Sequence, residues 1–268
     1  MENGTYPETE QQVSYPKTIE DSTWKLSFKV TKNMIEDANM FDVRKEAGNF
    51  VSSYYRTRSK FGAKILNEGT ATTMNYGNES HDISGNDSLS IFNTAHTSIT
   101  GGATQSNYYN AGFSYDNLCR VEELMQKLTN DNGDYEDIQP DTIIIPNNAR
   151  IKRLVADALW TVGDQRPGTS DWSYNYQAGR WNIITWNYLT NPSNISAGYD
   201  TWYLMDSRRN ELDGLMFIDR IPLNVKNYID EETDANIWAG RARFTASPVN
   251  FRAICKCVAG QGSSIAEV

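Results

Sequence analysis

The side chains best suited to covalent or metal chemistry in this 268-residue chain are Cys119, Cys255, Cys257, His81 and His96. A cysteine hydrolase would pair the Cys119 thiol with an imidazole from His81 or His96. Cys119, however, falls between Leu118 and Val121 on the apolar side of a helical pattern, where a cysteine is an inert small hydrophobe. The odd number of cysteines has neither disulfide nor zinc spacing and suits a reducing compartment. Both histidines lie in the polar stretch 70–113, where an imidazole solvates or hydrogen-bonds locally, and no partners stand at metal-ligand spacing. Gly101-Gly102 lacks the strand-to-helix context and the lysine of a phosphate loop, so it reads as a turn. Asn-x-Ser/Thr matches at Asn3, Asn78, Asn86 and Asn194 carry little weight without a secretory signal. No catalytic, cofactor-binding or metal-binding residue is assigned, and no cofactor is expected.

The elements around these residues make a better-defined pattern. From Trp24 the chain alternates, with Trp24, Leu26, Phe28 and Val30 set against Lys25, Ser27, Lys29 and Thr31, as in a strand with one buried face. Such a strand needs a mate, and the preceding residues are too polar and proline-broken to supply one. Asp42 then caps a helix predicted to run to Glu68, with Gly69 closing it. Val43, Ala47, Phe50, Val51, Tyr54, Arg58, Phe61 and Ile65 recur along it at helical spacing. A helix of that length spans about 40 Å and serves as a spine against a sheet. Its basic residues Arg44, Lys45, Arg56, Arg58, Lys60 and Lys64 are expected on a solvated face or in ion pairs between subunits. Farther on, Ser114 caps a helix with Leu118, Val121, Met125 and Leu128 on one side. The β-branched run Thr142 to Ile145 is a strand stopped by Pro146. Asn147 or Asn148 opens a helix carrying Ile151, Leu154, Val155, Ala158 and Leu159. Gly163 to Gly179 reads as a loop. Strands are then predicted at Trp181–Trp186, Thr201–Met205, Leu215–Ile218, Ile221–Ile229, Ile237–Ser247 and Phe251–Val258.

Composition narrows the function classes. The 39% hydrophobic content fits a globular chain, and no apolar run approaches the roughly 20 residues of a membrane helix. The start MENGTYPETEQQ has neither the basic beginning nor the apolar core of a signal peptide. A net charge of −9 argues against a groove that holds nucleic acid by neutralising phosphates. Seven tryptophans and fifteen tyrosines serve core packing or an extensive interface. A carbohydrate-binding module would rest on those aromatics alone.

Six segments in order, WKLSFKVTKNMIEDA, SIFNTAH, PDTIIIPNNARI, NYQAGRWNIITWNYL, WYLMDS and DANIWAGRARFTASPVNFRA, resemble the major capsid protein of tailed bacteriophages over nearly the whole chain. The resemblance implies an α+β architecture, the Hong Kong 97-type fold, with an extended loop (E-loop), a long spine helix, a peripheral (P) domain and an axial (A) domain. Residues 1–32 would be an N-terminal segment and an incomplete E-loop strand, 33–106 the P domain with the spine, 107–223 the A domain, and 224–268 a return to the P domain. Lys17 to Thr31 is similar to the returning E-loop strand, and the Gly163–Gly179 loop would lie near a symmetry axis. The N-terminal arm and outgoing E-loop strand of the family are missing, so the Trp24–Val30 strand is expected to be completed by sequence upstream of residue 1 or by an adjacent subunit.

The implied function is self-assembly into hexamers and pentamers of an icosahedral shell around a double-stranded DNA genome. That shell would be the virion capsid, assembled in the host bacterial cytoplasm. The implied partners are the chain itself, a portal, and decoration or scaffolding proteins, with DNA enclosed without specific binding and no membrane. An encapsulin-like nanocompartment of the same fold would enclose a cargo enzyme instead. Some family members join subunits through a Lys–Asn isopeptide bond. Lys17, Lys25 or Lys29 would supply the amine, with no Asn partner identified.

Overall fold

Alternation in the sequence becomes two main sheets, a two-stranded hairpin and a helix that touches both main sheets. The structure, a computed structural model, describes residues 17–37, 40–98, 103–160, 175–189, 201–260 and 262–265. Gly101-Gly102, Asn3, Asn194 and most of the 163–179 loop lie outside the described residues.

Strand β1 (Ser22–Val30) leads through a short helix α1 (Lys32–Glu36) into helix α2 (Met40–Glu68). Thr31 caps α1 by accepting a hydrogen bond from the Met34 N–H. The spine helix starts two residues before the expected cap, so Asp42 lies inside it. A β-hairpin of β2 (Thr73–Tyr76) and β3 (Glu79–Asp82) follows, and then β4 (Tyr108–Asn110). Next come α3 (Tyr115–Gln126), β5 (Thr142–Pro146), α4 (Ala149–Leu159), β6 (Asn182–Trp186) and β7 (Thr201–Met205). Helix α5 (Ser207–Asp213) precedes the long strands β8 (Leu215–Asp230) and β9 (Ala235–Pro248). A 3-10 turn at Phe251–Ala253 opens onto β10 (Ile254–Val258), followed by β11 (Ser263–Ser264).

The larger sheet has the order β11-β4-β10-β7-β5-β6. Side-chain parity sorts its residues between two layers. Ile143 and Ile145 of β5, Trp202 and Leu204 of β7, and Cys255 and Cys257 of β10 pack against α3 and α4. Ile144, Tyr203 and Ile254 point the other way and meet Ala63 and Leu66 of α2 with Ile91 and Phe92. Strands buried on both faces give no polar alternation. That is why β10 is five buried residues, not the expected alternating strand from Phe251. It is also why a lysine is trapped there. Lys256 follows the parity of Ile254 and donates to the carbonyls of Leu66 and Asn67 at 3.3 and 2.9 Å, at the C-terminal end of α2. Burial pulls its ammonium down to about 8. Gly69 closes the helix because space, not handedness, demands a glycine. A Cβ there would sit 2.6 Å from Ile91 and 2.7 Å from Phe92.

The smaller sheet has the order β1-β9-β8. The mate expected from upstream sequence or a neighbour for Trp24–Val30 is instead β9 of the same chain, antiparallel from Ser22↔Phe244 to Val30↔Asn236. Residues so far apart in sequence leave no local trace of their pairing. The two strands expected at Leu215–Ile218 and Ile221–Ile229 are one strand, β8, with register shifts between Asp219 and Ile221 and between Ile221 and Asn224. Pro222, which has no N–H to donate, falls in the second shift, where the ladder is already interrupted. Phe61, Ile65, Met74, Ile83, Ala242 and Phe244 form a third apolar cluster where α2 meets β9. The spine thus serves both sheets, residues 61 and 65 facing one and 63 and 66 the other. Residues 254–264, expected in the peripheral return, pair within the larger sheet.

Candidate assembly surface

The smaller sheet carries most of the features left over once the core is accounted for. Opposed residues in an antiparallel pair point to one face, so the register assigns every side chain. The rows Trp24–Ala242, Leu26–Gly240–Val225 and Phe28–Trp238–Asn227 face α2. The Trp24 ring stacks on Phe244 at 5.0 Å and meets Phe61 edge-on at 5.5 Å, while Phe28 lies 5.3 Å from Phe50. Strand and helix approach so closely that a Cβ on Gly240 would sit 2.4 Å from the Phe50 ring. Away from these contacts the apolar face is uncovered. Leu26 is 50% and Ile229 62% exposed, with Val51 and Tyr55 of the spine also open. The expected spine stripe is therefore buried at Phe50, Phe61 and Ile65 but not at Ala47 or Val51.

The opposite, outer face has the rows Lys25–Arg241–Asn224, Ser27–Ala239–Lys226 and Lys29–Ile237–Tyr228. A groove of about 770 Å³ runs across it, lined by Lys25, Ile221, Lys226, Tyr228, Ala239 and Arg241 among others. Arg220 and Arg243 share Asp21, and Lys29 pairs with Asp230. Lys25, Lys226 and Arg241 make no ion pair among the described residues. A cluster of unneutralised cations stands out on a chain of net charge −9.

The residues singled out for chemistry are placed elsewhere. Cys119 on α3 receives a 3.2 Å hydrogen bond from Gln177 Nε2, and burial pushes its thiol above the ordinary value. Gln177 also donates to Glu122, which Arg180 pairs at 2.8 Å, so this segment is tied to α3 by a satisfied network. His81 lies in β3, its ring nitrogens engaged by Ser22 and the Tyr76 carbonyl. His96 is buried, and of the two roles expected for a loop histidine it takes local hydrogen bonding and not solvation. It stacks on Phe251 at 3.7 Å and bonds Asp87 and Asn107. Burial opposes ionisation of Asp87, yet the His96 and Leu89 hydrogen bonds hold its carboxyl below the usual range. Neither imidazole has a nitrogen directed to Cys119, so no thiol–imidazole pair is assembled. Among the described residues, no group of three His, Cys, Asp or Glu side chains is placed to hold a metal, and no helix is long and apolar enough to cross a membrane.

Of the lysines considered as amines, Lys17 is committed to the Ser84 and Pro248 carbonyls and Lys29 to Asp230, leaving Lys25 on the outer face. The basic spine residues expected to pair between subunits are partly satisfied at home. Arg58 pairs with Asp219 and lies over Phe217, Lys64 pairs with Glu68, and Lys60 lies over Tyr188. Lys226 and Arg241 were not distinguished by the sequence, because only the strand register brings them beside Lys25.

No family model and no curated protein matches the sequence. Solved structures do match it. A chain from Mycobacterium phage Patience covers 97% of this chain and 78% of its own, with a TM-score of 0.56 at 11% identity. A chain from the capsid of a native GTA particle, computed with C5 symmetry, covers 89% and 72%, with a TM-score of 0.52 at 10% identity. What is shared at such identities is the backbone path. This chain has the α+β fold of phage capsid subunits, the Hong Kong 97-type fold.

Proposed function

We propose that this chain is a major capsid protein, assembling as hexamers and pentamers into an icosahedral shell around a double-stranded DNA phage genome. The observation that supports this reading most directly is the β1-β9-β8 sheet with the N-terminal half of α2, a long element whose apolar and cationic residues are left open. Proteins that work alone rarely leave such a surface, whereas a subunit covers it with its neighbours. In this reading the spine helix with β1, β8 and β9 is the peripheral unit. The axial unit is α3, α4 and the six-stranded sheet, with residues 254–264 belonging to it. The chain acts structurally and not as an enzyme. It works in the virion after assembly in the host cytoplasm, with a portal and decoration or scaffolding proteins as further partners. DNA is enclosed without a specific site, in keeping with the net charge of −9.

The test is negative-stain microscopy of the purified chain, alone and co-expressed with scaffolding and portal proteins of the same source. Closed shells of regular diameter are expected. Particles that carry a protein cargo in place of a genome would favour a nanocompartment, and monomers under every condition would overturn the assembly reading.

A further inference from the structure

The outer groove and the turn joining β8 to β9 are complementary. Lys25, Lys226 and Arg241 are brought into one patch by strand register, each without an ion pair among the described residues. The turn has the opposite character, with Asp230, Glu231, Glu232 and Asp234 following the exposed Tyr228 and Ile229. Asp230 and Asp234 are neutralised at home by Lys29 and Lys32. Glu231 and Glu232 have no ion pair among the described residues. The groove also offers apolar surface from Ile221 and Ala239, matching a turn that carries exposed Ile229 on its approach and is acidic at its tip.

The acidic turn cannot reach the cationic end of the groove on its own sheet. Lys226 lies four residues before Asp230 on the same strand, about 13 Å along a rigid ladder. Anything that fills the groove must come from outside this hairpin. We propose that the cationic groove of one subunit receives the acidic β8–β9 turn of a second copy of this chain. The proposal rests on the assembly reading above and adds to it a specific, directional contact. Acidic turn and cationic patch are different groups of residues, and where the contact runs head-to-tail it closes into rings when the rotation permits. Complementary charge of this type sets register and speeds encounter more than it adds affinity, and it weakens with salt.

Charge exchange tests it. Lys226→Glu with Arg241→Glu should cut the assembled fraction, read by sedimentation and microscopy, about tenfold or more. Glu231→Lys with Glu232→Lys should do the same, and the chain carrying all four changes should recover assembly. These side chains are on the surface, so each variant should keep the circular dichroism and thermal transition of the parent subunit, which separates misfolding from lost contact. A parent chain that never associates at any ionic strength would overturn the assembly reading and this contact together. A parent that assembles, with reversal variants that assemble equally well or a four-site exchange that fails to recover although folded, would overturn the contact alone. Binding of duplex DNA by parent subunits that is lost on reversing Lys226 and Arg241, with shells unaffected, would assign the groove to nucleic acid and overturn it as well.

Discussion

Strands β10 and β8 live in opposite environments. All five residues of β10 are buried, and the larger sheet around it is covered on both faces by the chain's own helices. Not one of the sixteen residues of β8 is fully buried. The body solves its packing within the chain, and even its lysine, Lys256, finds two carbonyls. The smaller β1-β9-β8 sheet, which projects as an arm of three strands, leaves Lys25, Lys226 and Arg241 without ion pairs among the described residues, and Leu26, Tyr228 and Ile229 largely open. The difference separates what the chain needs in order to fold from what its own fold leaves open. A residue's burial therefore forecasts which of two measurements its substitution will move.

The largest effect is expected where α2 is sealed between the sheets. Phe61 is wholly buried among Trp24, Tyr76 and Phe244, so Phe61→Asp strands a charge with no partner and should cost about 5 kcal/mol. Denaturant unfolding of isolated subunits measures this. Phe50→Asp, beside the open end of the arm, should cost less, about 2 kcal/mol, because water reaches its surroundings. Equal losses at the two positions would abolish the distinction between the sealed and the open end of the smaller sheet, and fully assembled shells from Phe50→Asp would show that its face is not core.

A second test concerns Lys256. Its ammonium falls from the ordinary lysine value of 10.5 to about 8 in the folded chain. Below pH 8 both states hold the proton and the folded chain bears the whole cost of burying it. Between about 8 and 10.5 the unfolded chain binds more protons, so stability should rise with pH across this window, by about 3 kcal/mol in all. Lys256→Met should remove that rise, seen as a pH-dependent difference in unfolding free energy from the parent. Parallel profiles for the two would mean that the lysine is not buried as a charge.

The smallest effect on folding should come at the arm's tip. Tyr228→Ser with Ile229→Ser should change subunit stability by less than about 0.5 kcal/mol per site, as exposed positions do. Assembly yield should nevertheless fall. A large loss of stability would show that these side chains are packed within the subunit after all.

How much of this was legible depended on how locally each element is specified. Ser114 and Asn148 accept from the backbones of Asn117 and Arg150 at the starts of α3 and α4, and the apolar periods inside both helices mark the buried face directly. The β-branched run of β5 was equally plain. Helix α5 was missed because its seven residues bury nothing and so carry no apolar period. Its one signal was Asp206, which accepts from the Arg209 N–H. Pro222 made one bulged strand look like two. The β1–β9 pairing, the burial of His96 between Asp87 and Phe251, and the convergence of Lys25, Lys226 and Arg241 all depend on residues far apart in the chain. Periodicity within a window contains no information about them. The architecture as a whole was readable through the order of its segments, while the assembly surface needed the register.

The position of β10 has a consequence for the order of events during synthesis. It lies between β4 and β7, so residues 254–258 are inserted into the middle of a sheet whose other strands were made as much as 150 residues earlier. A nascent chain that has exposed β4 through β7 still has a gap at the centre of its sheet. β1 likewise waits for β9. Neither half can reach its final form while the ribosome is still translating the strands up to β9 and β10. Completion of the strand ladder thus waits for the last strands, and only a chain translated through β10 can fold in full.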